Sequence, residues 1–402
     1  MLLPTILIDA SLGYYPLHAA PVFTTLPGVR AFEIVRGRNT EYDMFQGGTL
    51  SLVLSSEDGL YVPQYSASQF YPNLKPMVLI RIRAVLSGTT YPMIVVFADD
   101  WPPQWIPGDE FAIVTATDAI GILRGRKLSG TYPTEMSDDR VVRVLDAVGW
   151  PGTGFHNHAG WRSIGVGITT LDAVTLDKVS AMEHLELVAR SETARIFVDA
   201  SGAVKFVGRH ALMSSPYIDS QATYGDISGE LPYSNPVASY GKSGIYNEVI
   251  VTTASGTAVT KTDTDSIAYY TTKTLTRSNV LCPASEAAAM AQFLLLRRMQ
   301  PQLRINNLTF HPDQEILEWQ DVLQRELSDR CTIRRRPDKG LHPTNPTLLE
   351  QESHIEGIRH SVSFVRDTWN CERSFSLADT SNYLVLGHAT RGMIDSTNRL
   401  AY

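Results

Sequence analysis

The feature that most constrains this chain is a series of short segments in which apolar residues return at every second position. Thr49-Leu50-Ser51-Leu52-Val53-Leu54 alternates in this way, as does Leu79-Ile80-Arg81-Ile82-Arg83-Ala84-Val85, and Phe111-Ala112-Ile113-Val114-Thr115-Ala116-Thr117 follows. Successive side chains of a strand point to opposite faces, so each segment turns one face to a core and the other to solvent or a partner. Turn-forming clusters separate the runs: Gln46-Gly47-Gly48, Glu57-Asp58-Gly59, Ser87-Gly88 and Pro107-Gly108-Asp109. These residue types accept the backbone angles of tight turns. Residues 1–118 therefore read as six or more short strands, an antiparallel barrel or sandwich.

After Asp118 the pattern changes. Ser137 is placed to cap a helix through Val141, Leu145 and Val148, with Asp138 and Asp139 at its positive end and Gly149 to stop it. Thr175 opens a second helix, on which Val179, Met182, Leu185 and Val188 recur at helical spacing. Ile196–Asp199, Ala200-Ser201-Gly202 and Val204–Val207 read as a hairpin, which makes residues 119–210 a small α/β module. Residues 211–402 return to strands. Glu248–Thr253 and Thr257–Thr260 flank Ala254-Ser255-Gly256, and Ile305–Phe310 and Arg330–Ile333 are further strands. One helix interrupts near 285–300, capped by Ser285, carrying Arg297 and Arg298 near its negative end and closed by Pro301. The expected fold is thus β-rich α+β.

At 402 residues, with 43% hydrophobic and 19% charged side chains, the chain has the profile of an ordered protein of two to four domains. Its formal charge of -7 argues against the basic field that neutralises phosphates in nucleic-acid readers. Cys282, Cys331 and Cys371 are odd in number and lack a CxxC pair, so the expectation is buried free thiols in a reducing cytoplasm. The N-terminus meets Pro4 with no basic leader and reads as a first strand. The most apolar run, Met93 to Ala98, is far shorter than the ~20 residues a membrane helix needs.

Each apparent catalytic or metal motif lacks a residue its chemistry requires. His156-Asn157-His158 offers two ligands at strand spacing, but Gly152, Gly154 and Gly160 mark a loop and no third ligand is near. Gly241-Lys242-Ser243 resembles the end of a phosphate-binding loop, yet Pro236 occupies the place of its first glycine. Asp99 and Asp100 beside Trp101, and Glu315 and Glu318 near Trp319, imitate glycosidase pairs, for which solvated surface acids are the ordinary account. Neither H-E-x-x-H nor G-x-S-x-G occurs. Arg334-Arg335-Arg336 reads as an exposed edge or a contact with an acidic neighbour. No catalytic residue, metal or cofactor is expected. Two aromatic loops remain. Tyr61, Tyr65, Phe70 and Tyr71 crowd one, and Trp101 and Trp105, with Pro102, Pro103 and Pro107, crowd the other. They suit either a protein interface or folding back over their own strands.

The order of these pieces resembles the baseplate-hub and minor tail proteins of long-tailed, siphovirus-like bacteriophages. The resemblance begins with Arg36-Gly37-Arg38, Phe45 to Leu54, Asp58-Gly59, Leu74-Lys75-Pro76 and Ile80 to Arg83. It continues through Tyr91-Pro92, Phe97 to Trp101 and Val114 to Asp118. Later come Ala194 to Phe206 with Asp199 and Gly202 at the turn, Ile245 to Val251, and Leu294-Leu295-Leu296-Arg297-Arg298 before Pro301. It spans nearly the whole chain and is weakest beyond about residue 375.

The resemblance implies two tube-like antiparallel β-barrels, 1–118 and 211–402, around the inserted α/β module 119–210. It implies a homo-oligomeric ring, a trimer, on the tail tip of a virion. Three chains with six barrels would match a sixfold tail tube to a threefold fibre or spike. The implied neighbours are the distal tail protein, the tail tube and the tip or fibre proteins, with genomic DNA passing transiently through the channel. Competing expectations are a hexameric distal tail or tube-adaptor protein, a carbohydrate- or receptor-binding tail protein, and a tail-associated wall hydrolase.

Overall fold

The computed structural model describes residues 4–152, 160–312, 316–336 and 349–378. The N-terminal strands are β1 (Thr5–Ala10), β2 (Thr24–Thr25), β3 (Val29–Gly37), β4 (Gln46–Ser55), β5 (Leu79–Leu86), β6 (Thr89–Asp100), β7 (Pro103–Ile106) and β8 (Asp109–Thr117). They pair antiparallel in the order β3-β4-β8-β6-β5-β1-β2, with β7 on β8. Leu50, Leu52 and Leu54 of β4 are buried while Thr49 is exposed and Ser51 and Val53 between the leucines are half-buried, as the alternation requires. Met93 to Ala98 of β6 are buried without a break because this strand lies between two cores. Ile94 and Val96 join the N-terminal core, and Val95 and Phe97 face the module behind it.

The middle region holds helices α1 (Ala119–Gly125), α2 (Ser137–Ala147) and α3 (Ala181–Glu192). Its strands are β9 (Lys127–Tyr132), β10 (Glu135–Met136), β11 (Arg162–Ile164), β12 (Thr170–Leu171), β13 (Val174–Ser180), β14 (Arg195–Val198) and β15 (Val204–Val207). The β14–β15 hairpin forms where expected. Asp199 accepts hydrogen bonds from the Ser201 and Ala203 amides, and Gly202 takes φ +91°. The helix expected from Thr175 does not form there. Residues 174–180 are strand β13, paired with β9, and the helix starts at Ala181. Val179 belongs to that strand but packs against the same core as Met182, Leu185 and Val188, which lengthened the helical stripe by one false position. Ser137 is also not a cap: Met136 is, and the Ser137 hydroxyl donates to the buried Glu192 carboxylate.

The C-terminal strands are β16 (Thr223–Tyr224), β17 (Ser234–Ser239), β18 (Glu248–Thr253), β19 (Ala258–Thr262), β20 (Thr274–Val280), β21 (Arg304–Phe310), β22 (Arg330–Arg335), β23 (Leu349–Ser363) and β24 (Thr368–Leu377). Three helices accompany them: α4 (Thr264–Tyr270), α5 (Ala284–Arg298) and α6 (Ile316–Gln324). Sequence reasoning found only α5, and it placed Ser285 at the cap, where Pro283 stands. Strands β19-β18-β20 make a separate three-stranded sheet covered by α5. Strands β17-β21-β24-β23 continue the large sheet, because β23 pairs antiparallel with β3.

The result is a β-rich α+β fold organised on one large, mostly antiparallel sheet of 14 strands. Among the described residues its ladder runs in an open path from β17 to β2, and no closed barrel is present. Trp319 and Leu323 of α6 enter the N-terminal core, where Trp319 meets Trp369 edge-on at 5.0 Å. Chain segments more than 300 residues apart, such as those of Phe32 and Trp369, therefore share one core. No helix among the described residues is long and apolar enough to cross a membrane.

Candidate functional site

The point where β3 meets β23 is built around two glycines paired directly, Gly37 with Gly357. Gly37 has φ +100°, and a Cβ there would stand 2.2 Å from the Glu356 carbonyl oxygen. A bulge between Ile355 and Gly357 leaves Glu356 as the extra residue, with its side chain turned inward and fully buried. That carboxylate accepts from Arg38 Nε at 2.6 Å, Arg195 Nη2 at 2.7 Å and the Ser376 hydroxyl. Burial by itself would raise its pKa, but the charges of Arg195 and Arg38 outweigh that cost and hold it below the ordinary carboxylate range. The N-terminal sheet, the module and the C-terminal strands are thus tied at one ionised group.

A second buried network lies under α6. Arg373 is fully buried and donates to Asp321 Oδ2 at 2.7 Å, the Asp321 carbonyl at 2.8 Å and the Tyr224 hydroxyl at 2.5 Å. Its guanidinium also lies 4.7 Å from the centroid of Phe310. Burial pushes the Cys331 thiol beside Tyr224 up to about 12 and the Cys371 thiol up to about 11. The third thiol, Cys282, is also buried and pushed up to about 11. None of the three is disulfide-bonded, and thiols held in this protonated form are poor nucleophiles. This network fixes α6 against the sheet.

The aromatic loops divide. Tyr61 and Phe70 are buried, stacked 5.5 Å apart, and the Tyr61 hydroxyl donates to the Pro27 carbonyl at 2.6 Å. Trp101 is buried too and donates to the Lys75 carbonyl at 2.9 Å. Tyr65, Tyr71, Trp105 and Ile106 remain exposed, Trp105 by 68%. Each loop therefore uses some rings as anchors and presents the rest.

Among the described residues, the apparent catalytic pieces make local contacts. Asp99 accepts from the Thr117 hydroxyl and Asp100 from the Trp101 amide, both on the exposed end of β6. Lys242 and Ser243 sit in an exposed short turn. Arg336 pairs with Asp226 and Glu230, and Arg334 with Glu350 and Glu230, so this basic run is tied down within the chain. His156-Asn157-His158 and Glu315 lie outside the described residues. Among the described residues no group of His, Cys, Asp or Glu could hold a metal ion.

Sequence reasoning missed a cavity of about 110 Å³ next to the Glu356 junction. Its wall includes Arg38, Glu41 and Asp43 from the β3–β4 loop, Arg190 and Arg195 from the module, and Arg277 and Arg297 from β20 and α5. Burial opposes ionisation of Glu41, but Arg297 and Arg298 outweigh it and hold its pKa down to about 2. The arginines of the wall run from Arg38 to Arg330 in the sequence, and no local pattern announces their convergence.

The fold of this chain is similar to those of phage tail proteins. It matches the prophage MuSo2 43 kDa tail protein from Shewanella oneidensis with a TM-score of 0.59. That match covers 93% of this chain and 98% of the other at 13% identity. A tail protein from Neisseria meningitidis MC58 matches with a TM-score of 0.58 at 10% identity, covering 92% and 96%. A chain of the lidded Francisella PdpA–VgrG complex matches with a TM-score of 0.50 at 10% identity, covering 94% of this chain and 54% of that one. By sequence, no family model and no curated protein matches. The likeness to phage tail proteins read from the order of motifs thus reappears in the fold, over more than nine-tenths of the chain.

Proposed function

We propose that the chain is a structural protein of a phage tail tip, a baseplate hub that acts by assembling and catalyses nothing. The observation that carries this reading is the near end-to-end match to two tail proteins of almost the same length. In this reading the two ends of the large sheet serve as tube-like halves, 1–118 and 211–402, flanking the module 119–210. Three copies close into a ring that joins the tail tube and distal tail protein to the tip fibre or spike, and DNA passes through it. A net charge of -7 suits a lumen that does not grip DNA.

The physical requirements of such a ring have candidates on the surface. Among the described residues the open ladder ends at β17 and β2, and the small sheet ends at β19 and β20, which leaves these strand edges for intersubunit pairing. Trp105, Tyr240 and Tyr269 are 68%, 67% and 81% exposed and offer rigid apolar area for contacts. Native mass spectrometry and particle imaging of the full chain test the proposal. A three-copy ring is expected, and in tail particles it should sit on the axis. A monomer at assembly concentrations counts against the hub, and a six-copy ring would reassign the chain to a tube adaptor.

A further inference from the structure

The cavity beside the Glu356 junction has more positive charge on its wall than the fold neutralises. Glu356 is shared by Arg38 and Arg195, and Glu41 by Arg297 and Arg298. Asp43, the other carboxylate on the wall, is occupied by the Thr40 amide and hydroxyl. Arg190 and Arg277 have no carboxylate within ion-pair distance among the described residues, although Arg277 lies 5.8 Å from the Tyr42 ring. Arg195 is nine-tenths buried, and its Nη1 has no hydrogen-bond partner even though Nη2 is bonded to Glu356. A buried guanidinium nitrogen left unmatched is costly, and two further cations without a carboxylate at ion-pair distance line the same cavity.

We infer that this cavity is a binding site for a doubly charged compact oxyanion of the phosphate or sulfate type. The charge balance selects the class: a dianion matches Arg190 and Arg277, and its several oxygens give Arg195 Nη1 the acceptor it lacks. A cavity of about 110 Å³ has room for such a group. Arg190 and Arg277 are half-buried, which leaves the site reachable from solvent on that side. The wall draws on the β3–β4 loop, the α3–β14 connection, β20 and α5, so a bound anion bridges three parts of the fold that are far apart in sequence. Binding only the folded form, it stabilises their mutual arrangement by mass action. The inference is independent of the hub assignment.

Inorganic phosphate is the probe. Calorimetric titration of the full chain, with sodium chloride at matched ionic strength as the reference, should give saturable binding at one site per chain. The melting temperature should rise with phosphate and with sulfate, but not with acetate, which carries a single charge. In the Arg190→Gln, Arg277→Gln double variant the affinity should fall by at least about tenfold. An Arg126→Gln control on the exposed rim of the module should bind as the parent does. Circular dichroism in phosphate-free buffer checks that the variants are folded, and Arg277→Gln alone serves if the double variant is not. Absence of saturable binding, equal binding by parent and double variant, or an equal response to acetate would each overturn the assignment.

Discussion

The two halves of the large sheet bury different chemistry. The half from β1 to β8 closes on an apolar core of Ile, Leu, Val and aromatic side chains, with Leu52, Ile80, Ile82 and Val96 fully enclosed. The half from β21 to β24 buries Gln351, His354, Glu356, His360 and Arg373 among its apolar residues. Hydrophobic contact is non-directional, so the apolar core of the first half needs chiefly the right volume and pattern, although that half also buries Asp9, Arg36 and Asp118. Buried ionic groups need particular partners at particular distances. The second half is therefore the part in which single polar substitutions should do most harm, and the first half the part that tolerates conservative exchange.

The largest effect is expected at Glu356. Glu356→Ala leaves Arg38 and Arg195 buried without their shared carboxylate and should cost about 3–5 kcal/mol by denaturant unfolding. Leu52→Ala in the apolar half should cost about 2–5 kcal/mol, whereas Leu52→Met should cost less than about 1.5 kcal/mol. If Glu356→Gln proves as mild as Leu52→Met, the contrast between the halves fails. Gly37→Ala, at the seam between them, meets both a left-handed φ and the Glu356 carbonyl. It should destabilise by about 3 kcal/mol in the same assay.

Acid should act through the polar half. Burial, reinforced by the charges of Arg36 and Arg373, lowers the His360 pKa to about 3. The folded chain then keeps this ring neutral while the unfolded chain protonates it below about 6.5. Stability from this residue is complete above that pH and is lost as pH falls toward 3. At pH 5 the loss amounts to about 2 kcal/mol. His360→Asn, which retains an acceptor for the Trp369 indole, should flatten the stability profile between pH 6.5 and 3. An unchanged profile would show that His360 is not a source of acid sensitivity. The smallest effect belongs to Trp105→Ala, which should shift stability by less than about 0.5 kcal/mol because the ring is 68% exposed. Any loss of ring assembly in that variant would then report on contacts between chains.

The contrast between the halves also explains what could be read without coordinates. The strands β4, β5 and β8 were legible because each carries its own period-two pattern, and the hairpins at Gly202 and Gly256 because turn residues act locally. Helix α6 was not, since its apolar face is Trp319, Val322 and Leu323, a signal too short to stand out. Asp99 and Asp100 accept hydrogen bonds from the Thr117 hydroxyl and the Trp101 amide, local contacts that the sequence order partly foretells.

By itself the sequence determined a β-rich chain with an α/β interruption, strand faces committed to a core, and an order of motifs like that of phage tail proteins. These follow from interactions between residues a few positions apart, which the covalent order already specifies. Only the tertiary structure decided that β23 joins β3 into one open sheet, that Glu356 neutralises Arg38 and Arg195, and that Arg190, Arg195 and Arg277 converge on one cavity. Those partners lie tens to hundreds of residues apart. Nothing in the local pattern records a charge whose counter-charge arrives only when the chain has closed on itself.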